Sequence, residues 1–195
     1  MTPAWTPTRV LGHAATQLDR LGIAFAVGGS FASSTHGIGR STQDVDITID
    51  LRREGIEALA TALEPDYYVS REAMDEAVRE HRSFNAIHLH SMFKIDFFVL
   101  GTDAFDREEF GRSKPRVIDD PGAPPVRFAT PEDVVLRKLR WYRAGREISD
   151  QQWRDVLGVL LVCKGDLDEG YLDLWAAHLG VSDLLRRARA EVAKG

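Results

Sequence analysis

Two segments decide the fold: Ile23-Ala-Phe-Ala-Val27-Gly28-Gly29-Ser30 and, after thirteen intervening residues, Asp44-Val45-Asp46-Ile47-Thr-Ile49. The first opens with a short apolar run that predicts a buried strand, and its glycines predict a turn into a helix extending through His36. In the second segment Asp or Thr alternates with apolar residues, and this two-residue period is typical of a strand with one buried face. The sequence therefore predicts strand, glycine turn, helix and strand in close succession.

Asp44 and Asp46 carry the first chemical signal in these segments. Side chains at positions i and i+2 of a strand share a face, so both carboxylates face one way while Val45 and Ile47 face the core. Two like charges this close repel unless a cation lies between them, and oxygen ligands favour Mg²⁺. The alternative is an exposed strand face that simply carries acids.

A third carboxylate, Asp96, lies inside another apolar strand. Residues 84–90 and 93–100 predict two strands of a hairpin that turns at Ser91-Met92. An acid in so apolar a strand is costly unless it is paired or bound to a metal. Two partners are open at this point: a metal ion, or a salt bridge to Lys94 or an arginine.

The glycine turn is suited to an anion. Glycines let backbone N–H groups approach a ligand closely, and a helix N-terminus adds positive potential. Ser30 can cap that helix or donate a hydrogen bond to a phosphate. The turn therefore predicts a phosphate site.

Together, the Val27–Ser30 turn and the Asp44–Ile47 strand resemble the signature of the DNA polymerase β-like nucleotidyltransferase superfamily, over roughly residues 23 to 100. The resemblance implies that the turn, with Gly28, Gly29 and Ser30, holds a nucleoside triphosphate. It also implies that Asp44, Asp46 and a third acid bind two Mg²⁺ ions, and Asp96 fits that third position by its strand context.

Motifs in the second half of the chain are similar to those of one group within this superfamily. The stretch from Asp133 to Lys138 has the D-x-x-x-x-K form of the AbiEii/MenT-like minimal nucleotidyltransferases, many of which are toxins of toxin–antitoxin pairs. The R-x-T-x-D-x-D segment that begins at Arg40 is similar to theirs as well. The resemblance implies that Lys138 helps to bind the nucleotide. Arg40, four residues before the D-x-D pair, is a candidate contact to the triphosphate, and the alternative is a solvated loop arginine. The resemblance also implies a further acid on the following helix, for which Asp155 is the first candidate and Asp150 the second.

The helical period predicts independently on which face of the helix Lys138 and Asp133 lie. At 100° per residue Lys138 falls within the apolar stripe of its helix, where an ammonium needs an anionic partner. A phosphate is one such partner, and the alternative is a lysine that extends past Tyr142 to water. Asp133 falls on the opposite, polar face and in a capping position after Thr130, so it is predicted to be structural.

The overall pattern predicts an α+β fold. Residues 1–110 form a nucleotidyltransferase core with a small mixed sheet and flanking helices, residues 111–128 form a loop-rich connector, and residues 129–195 form a C-terminal helical bundle. Besides the helix that extends through His36, the predicted helices are Thr8–Leu21, Glu54–Leu63, Arg71–His81, Pro131–Ala144, Asp150–Cys163, Glu169–His178 and Asp183–Val192.

Composition excludes several classes of protein. The 195 residues are 44% hydrophobic and 28% charged, which is ordinary for a globular domain and argues against wholesale disorder. The single Cys163 excludes an internal disulfide and a cysteine-rich metal site. No apolar run is long enough to span a bilayer and the N-terminus does not resemble a secretion signal, so a cytoplasmic location is expected.

The resemblance implies transfer of a nucleoside monophosphate from a nucleoside triphosphate (NTP) to an acceptor hydroxyl. The first hypothesis is a toxin, controlled by an antitoxin protein, that modifies the 3′ end of tRNA; the basic stretch Arg137–Arg146 could follow an RNA backbone. That stretch could equally be a solvated helix face. The alternatives are transfer to an aminoglycoside-like small molecule, which suits the net charge of −5, transfer to a protein side chain, or a non-catalytic nucleotide-binding relative.

Overall fold

The computed structural model describes residues 5–38 and 44–194, which contain a mixed sheet and α-helices. The strands are β1 (Phe25–Val27), β2 (Asp44–Ile49), β3 (Tyr67–Tyr68), β4 (Ser83–His88), β5 (Lys94–Val99), β6 (Lys114–Arg116) and β7 (Val126–Phe128). The helices are α1 (Pro7–Arg20), α2 (Gly29–His36), α3 (Ile56–Leu63), α4 (Arg71–Glu80), α5 (Ala104–Arg112), α6 (Pro131–Ala144), α7 (Asp150–Val162), α8 (Glu169–His178) and α9 (Ser182–Val192). A 3₁₀ turn, Arg53–Gly55, precedes α3. The predicted α+β class is confirmed.

The described residues divide into two compact units. The sheet unit contains residues 5–28 and 44–128, and the helical unit contains residues 29–38 and 129–194. In the sheet unit the strands lie in the order β3-β4-β5-β2-β1-β7-β6. β2 and β5 run parallel, as do β1 and β7, while the other neighbouring pairs are antiparallel.

Alternation in β2 and β5 fixes which face of the sheet is buried. Val45, Ile47, Ile95 and Phe97 have no exposed surface, whereas the residues between them are partly or fully exposed. Burying such side chains is worth roughly 1.5–3 kcal/mol each. The apolar face therefore locks the register of both strands, since a shift by one residue would turn these side chains out to water.

The helical unit is assembled around α6 and α7. α6 begins with Thr130 as its N-cap, as the sequence predicts, and has Pro131 in its first turn. α7 begins with Ser149 as its N-cap. Val135, Leu139, Val156 and Val159 are fully buried between the helices of this unit. Each cap supplies an acceptor for a backbone N–H that the helix itself leaves without a partner.

Some boundaries differ from the sequence prediction. Residues 111–128, predicted as a connector, contain β6 and β7, which pair with each other at the edge of the sheet. α2, predicted within the N-terminal core, belongs to the helical unit, where His36 Nε2 lies 2.8 Å from the carbonyl oxygen of Ala129. Within residues 5–38 and 44–194, no helix is long and apolar enough to cross a bilayer.

Candidate functional site

The three predicted acids lie together on one face of the sheet. β2 and β5 are parallel neighbours in a register that places Asp46 directly opposite Asp96, and Asp44 opposite Lys94. Because residues opposite each other in a sheet point to the same face, and so do residues i and i+2, all four side chains share one face. Two distant segments of the chain thus bring three carboxylates and one ammonium together.

The ammonium of Lys94 lies between two of these carboxylates. Its Nζ lies 2.7 Å from Asp96 Oδ2 and 3.9 Å from Asp44 Oδ2. The hydrogen bond to Asp96 is the largest cause of a raised pKa for Lys94; burial opposes it, and the charges of Asp96, Asp44 and Asp46 reinforce it. The negative potential of all three acids therefore converges on this one nitrogen.

The donor set fits a divalent metal in its chemistry. Three carboxylates on adjacent strands offer the hard oxygen ligands that Mg²⁺ prefers, and the ammonium among them marks a place where positive charge is stabilised. Among the described residues, no group of three or more His, Cys, Asp or Glu side chains is already gathered in a geometry that could hold a metal ion. Asp44, Asp46 and Asp96 are the residues that could hold Mg²⁺, and Asp44 and Asp96 would then exchange the ammonium of Lys94 for the metal.

The glycine turn follows β1 as predicted. The Gly28 N–H donates to the carbonyl oxygen of Asp46 at 3.0 Å, which ties the end of β1 to the acidic strand. Gly29 begins α2 with φ of +55°, a left-handed conformation that favours glycine because a Cβ would be strained there. Ser30 lies in the first turn of α2. Arg40, predicted to contact the nucleotide, lies outside the described residues.

Lys138 and Asp155 form a buried ion pair within the helical unit. Lys138 Nζ lies 2.7 Å from Asp155 Oδ2, and the two side chains are 2% and 9% exposed. Gln152 Oε1 accepts from the same ammonium at 3.2 Å, and Ser33 Oγ donates to Asp155 Oδ2 at 3.3 Å. The predicted anionic partner of Lys138 is therefore a carboxylate of the chain itself. Asp150, the second candidate acid, is exposed in the first turn of α7.

Asp133 is structural, but its predicted place on an exposed polar face is wrong. Its side chain has no exposed surface, because α8 covers this side of α6. The hydroxyl of Tyr171 donates to Asp133 Oδ1 at 2.5 Å and the hydroxyl of Thr130 donates to Oδ2 at 2.6 Å. The backbone N–H of Asp133 donates to Thr130 Oγ1, which completes the cap of α6.

A cavity of about 690 Å³ opens in the helical unit between α2, α7 and α9. This volume is within the usual range for small-molecule sites. Asp155 and Ser33 reach it from the ion-pair cluster, and Glu191 and Arg154 add charge. Its apolar lining is Ile38, Leu157, Leu161 and Val192.

Two basic clusters are partly neutralised by acids: the stretch Arg137–Arg146, and Arg186, Arg187 and Arg189 near the C-terminus. Arg143 pairs with Asp183 at 2.5 Å and with Glu147 at 3.3 Å, and Lys138 is buried against Asp155. Near the C-terminus Arg189 pairs with Asp173 and Glu169. These contacts reduce the positive charge that either cluster presents to a polyanion.

The sequence did not identify two features of the site. Lys94 was visible as one possible partner of Asp96, but its simultaneous approach to Asp44 depends on the pairing of β2 with β5. The cavity depends on the approach of α2 to α7, which no local pattern encodes.

The fold of this chain is similar to that of solved structures of nucleotidyltransferases and nucleotidyltransferase-like proteins. The antibiotic-resistance factor ANT(2'')-Ia in complex with adenylyl-2''-tobramycin is similar over 90% of this chain and 97% of its own, with 17% identity and a TM-score of 0.59. An antigenic nucleotidyltransferase-like protein from Paracoccidioides brasiliensis is similar over 94% of this chain and 92% of its own, with 17% identity and a TM-score of 0.55. No protein-family model and no curated protein matches the sequence.

Proposed function

We propose that the protein is a Mg²⁺-dependent nucleotidyltransferase that moves a nucleoside monophosphate from an NTP to an acceptor hydroxyl. The observation that carries this proposal is the β2–β5 register, which places Asp44, Asp46 and Asp96 on one face of adjacent strands. The fold, which ANT(2'')-Ia shares, agrees with this reaction class.

In the proposed reaction the acceptor oxygen forms a bond to the α-phosphorus of the NTP. The bond between that phosphorus and the α,β-bridging oxygen breaks, and pyrophosphate leaves with the bond's electron pair. A carboxylate oxygen of Asp96 receives the acceptor proton and passes it to solvent. Mg²⁺, held by Asp44, Asp46 and Asp96, supplies positive charge that polarises the phosphates when bound.

The chain's other predicted site residues bind the nucleotide in this proposal. Backbone N–H groups of the turn at Gly28 and Gly29 and the hydroxyl of Ser30 hold the terminal phosphates. Lys138 neutralises charge that develops on the leaving group, and Arg40 contributes a second positive charge. Asp155 is a positioning residue, because its carboxylate holds the Lys138 ammonium at 2.7 Å.

We favour a small hydroxylated molecule as the acceptor. The chain carries a net charge of −5, which suits an acceptor with amino groups better than a polyanion such as RNA. ANT(2'')-Ia, whose structure contains adenylyl-2''-tobramycin, offers a precedent for such an acceptor within this fold.

The alternative acceptor is the 3′ end of tRNA, with the protein acting as the toxin of a toxin–antitoxin pair. The basic residues of α6 motivate this alternative, but acids already hold Lys138 and Arg143. Growth arrest on expression, relieved by a companion antitoxin and accompanied by labelled tRNA, would favour the toxin over the small-molecule enzyme.

One experiment tests the reaction and its acceptor together. Purified protein is incubated with Mg²⁺ and each of four α-³²P-labelled NTPs, together with tobramycin, with bulk tRNA or with neither. We expect labelled small-molecule product and pyrophosphate release. Label in tRNA alone would select the alternative acceptor.

Asp46→Asn and a matched variant separate the active site from general damage. Asp46→Asn removes a proposed metal ligand with almost no change of shape, and we expect activity to fall by a factor of about 10³ or more. Asp50→Asn, at an exposed acid directly after β2, makes the same change outside the cluster and should retain activity. Equal activity in both variants, or no transfer by the wild type to any acceptor, would refute the proposal.

A further inference from the structure

Lys94 is a cation built into the acidic face of the sheet, two residues before Asp96 on the same strand. Its ammonium contacts the carboxylates of Asp96 and Asp44 at 2.7 Å and 3.9 Å. A divalent metal bound by those carboxylates would need the same oxygens and the same region of negative potential. Lys94 and the metal therefore cannot both hold their preferred positions.

We propose that Lys94 is the resident counter-ion of the acid cluster and competes with free divalent metal, so that metal binds well only when a nucleotide supplies a new anion for the displaced ammonium. This inference rests on the proposed function, because it assumes that Asp44, Asp46 and Asp96 are metal ligands. The chemical partner that it assigns to Lys94 in the loaded protein is a nucleoside triphosphate.

Electrostatics predicts that Lys94 weakens the binding of metal alone more than the binding of a metal–triphosphate complex. In the metal-free protein the ammonium offsets the mutual repulsion of three carboxylates, and its side chain is 37% exposed, so it has an open route outward to solvent. Metal alone must displace it without providing any anion in return. A metal–triphosphate complex brings several negative oxygens, which can receive an ammonium on the same face.

The affinity of the protein for a divalent metal without nucleotide therefore tests whether Lys94 competes with the metal. Mn²⁺ serves as the probe, since its free concentration is measured directly by electron paramagnetic resonance. We expect Lys94→Met, which keeps the length and removes the charge, to bind Mn²⁺ about three- to tenfold more tightly than the wild type. Lys94→Arg keeps the charge and should bind no more tightly than the wild type.

Lys114→Met is the matched control. Lys114 is exposed on β6, four strands from β5 in the same sheet, so its substitution makes the same change in net charge far from the acids. Its Mn²⁺ affinity should stay within twofold of the wild type. An equal gain in both methionine variants would assign the effect to net charge and overturn the proposal.

Coupling between metal and nucleotide is the second readout, and a merely structural lysine would not change it. In the wild type a non-hydrolysable ATP analogue should raise Mn²⁺ affinity more than it does in Lys94→Met, by a factor of about three to ten, because the variant has no ammonium to displace. Circular dichroism checks that each variant is folded, and Lys94→Gln serves as a second charge-free variant.

The outcomes separate the two proposals. If the wild type binds Mn²⁺ with the analogue and Lys94→Met binds Mn²⁺ alone no more tightly than the wild type, Lys94 is not a competitor and the proposed function stands. If neither the wild type nor any variant binds Mn²⁺ with or without the analogue, the assignment of the three acids as metal ligands fails and this inference fails with it.

Discussion

Lys138 and Asp155 illustrate what a single charge requires inside a helical core. The lysine side chain is 2% exposed, and its ammonium has Asp155 at 2.7 Å and Gln152 at 3.2 Å. Moving an ammonium into such a place is unfavourable unless a partner compensates the lost hydration. The pair therefore behaves as one unit whose members cannot be removed separately without a large cost.

A double-mutant cycle on this pair is the first prediction at the residue scale. Lys138→Met leaves Asp155 buried without its cation, and Asp155→Leu leaves the ammonium without its anion, so each should lower the free energy of unfolding by about 3–5 kcal/mol. The double variant should recover most of that loss, because it leaves no buried charge. Urea unfolding of the four proteins measures the coupling, and additive losses would show that the two charges act independently.

His88 is the second residue whose environment sets its protonation. It has no exposed surface, lies with its ring 4.0 Å from that of Trp5, and accepts from the Ser91 N–H at Nδ1. Among the described residues its Nε2 has no hydrogen-bond partner. Burial lowers the pKa of His88, and the charge of neighbouring His90 lowers it further. The folded protein therefore favours the neutral imidazole.

The pH dependence of stability follows from the sign of that shift. Above the unfolded pKa of about 6.5 the imidazole is neutral in both states, so His88 makes no pH-dependent contribution. Below it the unfolded chain binds a proton more readily than the folded one, and the free energy of unfolding falls with pH until the lowered folded pKa is reached. His88→Asn, which keeps an acceptor near Ser91, should flatten this fall below pH 6.5 in urea titrations.

The wild type, titrated beside His88→Asn, provides the comparison. A slope that is equally steep in the wild type and in His88→Asn would mean that other groups cause the acid sensitivity.

At the scale of elements, Gly37, directly after α2, lies so close to α7 that a Cβ there would be tighter than an ordinary van der Waals contact. A Cβ on Gly37 would lie 3.0 Å from the carbonyl oxygen of Ser33 and 3.0 Å from the backbone nitrogen of Val159. Both are backbone atoms, which cannot rotate away as a side chain could. A substitution there must therefore move one helix or the chain that follows α2.

Gly37→Ala should lower the free energy of unfolding by about 1–3 kcal/mol, the usual cost of overpacking. Gly170→Ala is the matched change in the same unit, since its nearest neighbour would be Asp168 Oδ1 at 3.5 Å, an ordinary contact. That variant should match the wild type or gain up to about 1 kcal/mol, because alanine favours the helix. Thermal and urea unfolding compare the two, and equal stabilities would contradict the close approach.

Some of these elements can be predicted from the sequence and others cannot. The helices α6 and α8 were predicted with the bounds that the structure has, because their caps and apolar spacing are local signals. The sequence does not predict α5, because this helix has no apolar stripe and Phe105 is its one buried residue. β6 and β7 were predicted as connector because prolines surround them, and their pairing with each other is not a local property.

The site follows the same division between local and non-local information. The same-face relation of Asp44 and Asp46 is a property of any strand, so the sequence predicted it. The alignment of Asp46 with Asp96 depends on β2 pairing parallel with β5, which backbone hydrogen bonds between distant segments determine. The partner of Lys138 was predicted to be an anion, but its identity as Asp155 depends on the packing of α7 against α6.

At the scale of the whole molecule, the helical unit is built from two stretches of chain that are far apart in sequence. α2 ends at His36, and the next helix of that unit, α6, begins at Pro131. The buried surface of α2, which includes Ala32, Ser33 and His36, is complete only when both stretches are present.

The order of synthesis gives this discontinuity a consequence. During synthesis α2 leaves the ribosome well before α6 and α7 have been translated. The buried surface of α2 therefore stays without the helices that cover it while the later strands of the sheet are made. The helical unit can close only after the last third of the polypeptide has emerged, and until then the nascent molecule is vulnerable to proteases and a natural client for chaperones.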